Sequence, residues 1–234
     1  MLLVPLHDDN PTTRFAVLTA ALVAANALVF LYQMTLDDRD GTLFVLGYGM
    51  IPAVLFGEAE LAPGIATAGG WSSVVTSMFL HGGIMHVAGN MLYLWTFGNN
   101  VEDAMGRVRF AAFYLATGFA AALSQALVDP ASEIPMIGAS GAVSGVLAAY
   151  LLLHPHAFVY SFAFFRLAWL PAYAVLGFWI VVQLANGLIA DPDEGGVAWW
   201  AHIGGFVAGL VLLPFFRRRG VPLFAGRNRS GPWG

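Results

Sequence analysis

From Trp199 to Phe216 the chain runs without one charged side chain, then stops at Arg217-Arg218-Arg219. Such a block is long enough to cross about 30 Å of hydrocarbon. Inside a bilayer every backbone N–H and C=O must be satisfied within the protein, which leaves helices or a closed barrel. Comparable blocks run over Arg14–Met34, Met78–Phe97, Phe110–Val128, Ile137–Leu153 and Trp169–Ala190. They are predominantly apolar and of spanning length, so membrane helices are expected. The chain reads as an all-α polytopic membrane protein, a bundle of six transmembrane helices. Residues 14–216 form that bundle, 1–13 a short cytoplasmic N-terminal segment and 217–234 a cytoplasmic basic tail.

Composition agrees. The chain is 59% hydrophobic and 10% charged, where soluble domains carry about 25% charged residues. There is no cysteine, so disulfides and thiolate chemistry are excluded. The net charge of -4 and the lack of a basic face argue against a nucleic-acid partner. With six spans, Arg14, Arg107, Arg109, Arg166, Arg217, Arg218, Arg219, Arg227 and Arg229 fall on one side and only Arg39 on the other. The positive-inside rule then puts both termini in the cytoplasm. The opposite loops collect Asp37, Asp38, Asp40, Glu58, Glu60, Asp129, Glu133, Asp191, Asp193 and Glu194. Residues 36–80 make a long outer loop. Its apolar stretches, Leu43–Leu46 and Ile51–Phe56, are too short to span, and lie in the interface or re-enter the bilayer against protein.

Four polar residues inside these spans stand out: His86, Asn90, Ser140 and His202. Polar groups at membrane depth are costly and are by default functional. On this topology all four lie about two helical turns below the outer surface. His86 and Asn90, four apart, share a helix face. Ser140 sits in Gly138-Ala139-Ser140-Gly141-Ala142-Val143-Ser144-Gly145, where Gly141 and Gly145 make flat spots on one face. Ala201, Gly205 and Gly209 make a matching stripe beside His202. Two such stripes let helix backbones approach closely, as a hydrogen bond between a short serine and a histidine requires. His202 then serves as base for Ser140, with Asn90 and His86 as donors to an oxyanion. No carboxylate lies at that depth, so a dyad fits better than a triad. The competing readings are a plain small-residue packing seam, or zinc held by His81, His86 and His202. No HExxH motif accompanies those histidines. Neither a metal nor a cofactor is expected.

These residues resemble the rhomboid intramembrane serine proteases. The matching motifs are Gly138-Ala139-Ser140-Gly141, His81-Gly82-Gly83 with His86 and Asn90, and Ala201-His202-Ile203-Gly204-Gly205, together with Gly98, Glu102, Gly106 and Arg107. The resemblance runs from about Trp71 to Phe216 and implies a six-helix rhomboid-like fold. It implies Ser140 as nucleophile, His202 as general base, and His86, Asn90 and the Ser140 amide as the oxyanion hole. It also implies a water-filled cavity open to the outside and a partly embedded hairpin in the outer loop. Substrates would be single-span or other membrane proteins, cut in or next to their transmembrane segments. Entry is expected laterally from the lipid bilayer, past Phe178 and Trp179. A client-binding protein without activity is the alternative within the same family. The expected location is the plasma (inner) membrane of a prokaryote, with the site opening outward.

Two positions depart from the family pattern. An aromatic residue often stands four positions after the nucleophile, where this chain has Ser144. A Trp-Arg pair of some relatives corresponds to Trp71-Ser72. His81 is expected to brace its loop, and His154 and His156 read as interface residues.

Overall fold

A computed structural model describes residues 3–190 and 195–225. Asp191, Asp193, Glu194, Arg227 and Arg229, which entered the charge argument, lie outside the described residues. The chain begins with strand β1 (Leu3–Asp8) and helix α1 (Val17–Gln33). The outer loop then carries α2 (Asp38–Tyr48), α3 (Pro52–Phe56) and α4 (Ser72–Thr76). Two helices separated by the single residue Gly106 follow, α5 (Ile84–Met105) and α6 (Arg107–Ala126), then α7 (Ser140–Leu153). A hairpin of β2 (Phe158–Ala163) and β3 (Arg166–Pro171) leads into α8 (Ala172–Ile189), and α9 (Trp199–Phe216) follows.

Local chemistry sets these boundaries. The Asp37 carboxylate caps α2 by accepting from the Asp40 N–H at 2.8 Å. Pro52 stands in the first turn of α3, whose C-cap is Gly57 in the left-handed region. Between α5 and α6 the chain reverses at Gly106, whose φ of +81° is open to glycine and strained for other residues. By length and composition α8 and α9 can each cross a membrane, and α1 and α7 are apolar but shorter.

Helix α7 is the axis of the bundle. Ten consecutive residues, Gly141 to Tyr150, are buried, against α5, α6 and α9. Glycine makes this possible. A Cβ on Gly205 would collide with the Gly141 carbonyl, and one on Gly209 would stand 2.8 Å from the Gly145 Cα. On the other flank of α7, a Cβ on Gly141 would lie 2.5 Å from the Ala121 Cβ of α6. The backbones therefore touch directly along the two stripes seen in the sequence.

The end of α5 organises the opposite end of α1. Helix α1 has no side-chain cap of its own. The Glu102 carboxylate supplies one, accepting from the Leu18 and Thr19 N–H groups at 3.0 and 2.7 Å and from the Thr19 hydroxyl at 2.9 Å. This satisfies exposed donors of the first turn and places negative charge at the positive end of the helix. Asp103 accepts from the Thr13 N–H and hydroxyl, each at 2.7 Å, and pairs with Arg218 at 3.4 Å. The chain after α9 continues across this end, the Phe224 N–H donating to the Leu152 carbonyl at 2.7 Å.

The all-α expectation needs a correction, because β1, β2 and β3 form an antiparallel sheet in that order. Residues 3–8, read as part of a polar terminal segment, pair with the α7–α8 connection, Leu3 opposite Ala163 and Asp8 opposite Val159. Val159, Ser161 and Ala163 alternate inward along β2. On one face His7, Tyr160 and Trp169, one from each strand, form a mutual cluster with ring centroids 4.9 to 5.3 Å apart. Trp169 therefore belongs to β3, and the fifth apolar helix starts at Ala172. His154, read as an interface residue, is instead buried, and burial pushes its imidazole down to about 4.

The sheet is fastened to the bundle at two places. Along α5, the Thr96 hydroxyl donates to the Leu6 carbonyl at 3.3 Å and the Asn100 amide to the Asn10 carbonyl at 2.8 Å. On α7, the Tyr150 hydroxyl donates to the Asp8 carboxylate in a short hydrogen bond. Burial raises the Asp8 carboxyl to about 7, against the lowering effect of that hydrogen bond.

Two outcomes follow. Gly205→Ala forces α7 and α9 apart and is expected to cost about 1–3 kcal/mol, read as a melting temperature lowered by roughly 2–10 °C in detergent. Gly177→Ala, on α8 with nothing near the added carbon, should leave it unchanged or raised. Because folding raises the Asp8 pKa from 3.8 to about 7, the folded state holds the proton more tightly. Its contribution is complete below about pH 4 and lost as pH rises to about 7. Hydrogen-exchange protection of the Leu3–Asp8 amides should fall over that window, and stay flat in Asp8→Asn.

Candidate active site

Ser140 opens helix α7, so its N–H is one of the first-turn donors without a helical partner. The approach to it is clamped by backbone. Met136 and Met50 exchange hydrogen bonds of 2.7 and 3.0 Å, and the Gly138 N–H donates to the Ser77 carbonyl at 2.8 Å. Gly138 then adopts φ +122°, a left-handed value that a side chain would strain. A Cβ there would stand 2.8 Å from His86 Nε2 and 3.7 Å from Asn90 Nδ2. Only glycine lets the chain before Ser140 lie this close to both α5 side chains.

The two α5 side chains are set up as donors. The Gly82 N–H donates to His86 Nδ1 at 3.3 Å, so the neutral ring carries its proton on Nε2, the atom facing Gly138. Asn90 Nδ2 is buried and has no hydrogen-bond partner among the described residues. Buried polar groups are normally paired. Here an unpaired amide and an imidazole N–H converge beside Ser140.

His81 supports this arrangement from behind. Its backbone N–H donates to Gln33 Oε1 at 3.0 Å and its carbonyl accepts from Gln33 Nε2 at 3.3 Å. Its ring packs edge-on against His86, centroids 5.0 Å apart. The loop is held here through the His81 backbone.

His202 lies in the first turns of α9, buried with 9% of its surface exposed. The small-residue stripe sets its position, since a Cβ on Gly141 would stand 3.6 Å from the Ala201 carbonyl. The residue after Ser140 therefore faces the residue before His202. The ring of His202 is flanked by Trp179, tilted with centroids 5.9 Å apart, and by Trp199, edge-on at 6.1 Å. Its Nδ1 lies 2.8 Å from Gln183 Oε1. An amide oxygen only accepts, so Nδ1 holds the proton and Nε2 keeps a lone pair. Ser144, in place of the aromatic residue expected to support the ring, turns away and donates to the Ser140 carbonyl at 2.6 Å.

Ser140, His202, His86 and Asn90 line a single cavity of about 1450 Å³. One wall is α5, with Met85, Gly89 and Tyr93; another is α8, with Phe178, Trp179 and Gln183. Leu3 of β1 also reaches it. The helix-packing residues Gly138, Gly141, Gly145, Ala201, Gly205 and Gly209 lie along the floor or in the seam beneath it. Among the described residues, no three His, Asp or Glu side chains are grouped so as to hold a metal ion. Gln183 and Trp199 are site residues that sequence reasoning missed. A polar residue in an apolar span was the available signal for the first; Trp199 carries none in so aromatic a chain.

The Rhomboid domain profile matches residues 68–219. The chain is similar to Rhomboid protease AarA of Providencia stuartii, 30% identical over 221 residues, covering 83% of this chain and 70% of the relative. It is similar to Rhomboid protease GluP of Bacillus subtilis, 32% identical over 157 residues, covering 67% of this chain and 28% of that one. RHOMBOID-like protein 1 of Arabidopsis thaliana is 35% identical over 138 residues, covering 58% of this chain and 32% of the plant protein. The chain thus spans about a third of the length of that relative.

Proposed function

Because the chain belongs to the rhomboid family of helical integral membrane proteins, we propose that it is an intramembrane serine endopeptidase working through a Ser140–His202 dyad. Its substrates are single-span or other membrane proteins, cleaved in or next to their transmembrane segments. AarA and GluP are rhomboid proteases by name. The observation that carries the reading is the pair of ring orientations around one cavity. His202 presents a lone pair at Nε2, and His86 presents an N–H where an oxyanion beside Ser140 would form.

In the proposed reaction, His202 Nε2 takes the Ser140 hydroxyl proton as Oγ attacks the scissile carbonyl carbon. The carbonyl oxygen becomes an oxyanion that accepts from Asn90 Nδ2, His86 Nε2–H and the Ser140 N–H. The N-terminal end of α7 adds its positive dipole there. Collapse of the tetrahedral intermediate breaks the C–N bond, and the imidazolium gives its proton to the leaving amine. A water molecule, deprotonated by the same nitrogen, then hydrolyses the acyl-serine ester. The scissile carbonyl must first be freed from its helical hydrogen bond, so helix-weakening residues near the cut favour cleavage.

The proposed arrangement in the membrane is six spans, with both termini cytoplasmic and the cavity opening to the outer face. They correspond to α1, α5, α6, α7, α8 and α9. The proposed setting is the plasma (inner) membrane of a prokaryote.

Purified protein in detergent with a tagged single-span substrate tests the reading. Ser140→Ala and His202→Ala should each abolish cleavage, and Asn90→Ala or His86→Ala should lower it by about 10²–10³-fold. A chelator should leave it unchanged. Chelator-sensitive cleavage would transfer the reaction to histidine-bound metal, and substrate that co-purifies uncut with the unmutated protein would favour client binding.

A further inference from the structure

We infer that Gln183 is a positioning residue for His202, a neutral amide standing where a catalytic triad would place a carboxylate; this rests on the dyad proposed above. Gln183 projects from α8 and is 5% exposed. Its own amide is oriented by the backbone, because Nε2 donates to the Trp179 carbonyl one turn earlier at 3.0 Å. A carbonyl accepts only, so the NH₂ is committed to it and Oε1 is left to face the histidine. Oε1 then lies 2.8 Å from His202 Nδ1. The chain of bonds runs from Trp179 O through the Gln183 amide to the imidazole, and admits one tautomer of the ring. That tautomer leaves Nε2 unprotonated, as a general base requires.

The choice of an amide has a chemical consequence. A carboxylate at this position would also stabilise the imidazolium, holding part of the ring population protonated. Gln183 orients the ring without that bias. The helices around the ring do not supply the missing charge: α6, α7 and α8 face the cavity with Gln125, Ser140 and Gln183, all neutral, and the carboxylate among the described lining residues, Asp129, stands in the loop after α6. His86, on α5, is the other histidine on the cavity lining. Gln183 also ties catalysis to α8, the helix whose Phe178 and Trp179 wall the cavity. Displacing α8 withdraws the hydrogen bond from Nδ1 and frees the ring to rotate or change tautomer.

The test pairs Gln183→Leu, which keeps bulk and removes the acceptor, with Gln183→Glu, which keeps the acceptor and adds charge. For Gln183→Leu the expected result is a kcat lower by about 10–100-fold, a part of the 10²–10⁴-fold that a general base contributes, with KM unchanged. Gln183→Glu should retain cleavage, with the acid limb of its kcat/KM profile moved up by about 1 pH unit. Ring nitrogen NMR of histidine-labelled protein gives a readout independent of turnover. His202 should appear as the Nδ1–H tautomer in the unmutated chain and as a tautomer mixture in Gln183→Leu. Wild-type kinetics in Gln183→Leu, or equal losses in both variants with no pH displacement, would overturn the inference. So would an unmutated ring protonated at Nε2. An inactive unmutated protein whose His202 still shows the Nδ1–H form would sink the dyad's function and leave the positioning contact standing.

Discussion

Contact between two backbones, with no side chain in between, is the constraint on which this structure depends. Along α7 and α9 the facing positions are Gly141 with Gly205 and Gly145 with Gly209, and no Cβ fits at either crossing. In a bilayer, apolar side chains gain little by leaving lipid for one another, so close packing and short polar contacts hold helices together. Direct contact does both here. It packs the buried axis of the bundle, and it brings the N-terminal turns of two helices near enough for a short serine and a histidine to share a cavity. Stability and the candidate chemistry draw on the same glycines, so substitutions along the seam affect both.

The site itself is assembled from polar groups whose roles are set by what they cannot do. A carbonyl cannot donate, so the Gln183 amide is turned; an amide oxygen cannot donate, so His202 keeps its lone pair for the cavity. The Gly82 N–H cannot accept, so His86 presents its proton toward Gly138. None of these contacts is strong alone, since neutral hydrogen bonds contribute about 0.5–1.5 kcal/mol each. Their value lies in removing alternative orientations and tautomers of the two rings.

Much of this was legible in the sequence. Small residues four apart announce a helix seam, and polar residues at one depth in apolar spans announce a shared site. Trp199–Phe216 was bounded correctly because tryptophans and a run of arginines mark its two ends. The sheet was not legible. Leu3–Asp8 mixes proline, histidine and aspartate, and becomes a strand only because β2 offers an edge. Trp169 and Leu170 look like the start of an apolar helix and were read so, since a strand of apolar residues and a helix end are alike by composition. Gln183 was missed because one amide in an apolar span does not show what it faces. Only the distance to His202 gives it a different meaning.

The sheet also sets the kind of motion available to the cavity walls. Strand β1 is fastened along α5, while β3 runs without a break into α8. The two helices are therefore joined at one end by three hydrogen-bonded strands, about 16 Å along α8 from Gln183 at 1.5 Å per residue. Separation of α8 from α5 is then a swing about this joined end, like a door on its hinge, not a parallel parting. The displacement grows with distance from the strands, larger at Gln183 than at Ala172 and largest toward Ile189. A small rotation at the strands is thereby amplified at the cavity wall formed by Phe178, Trp179 and Gln183.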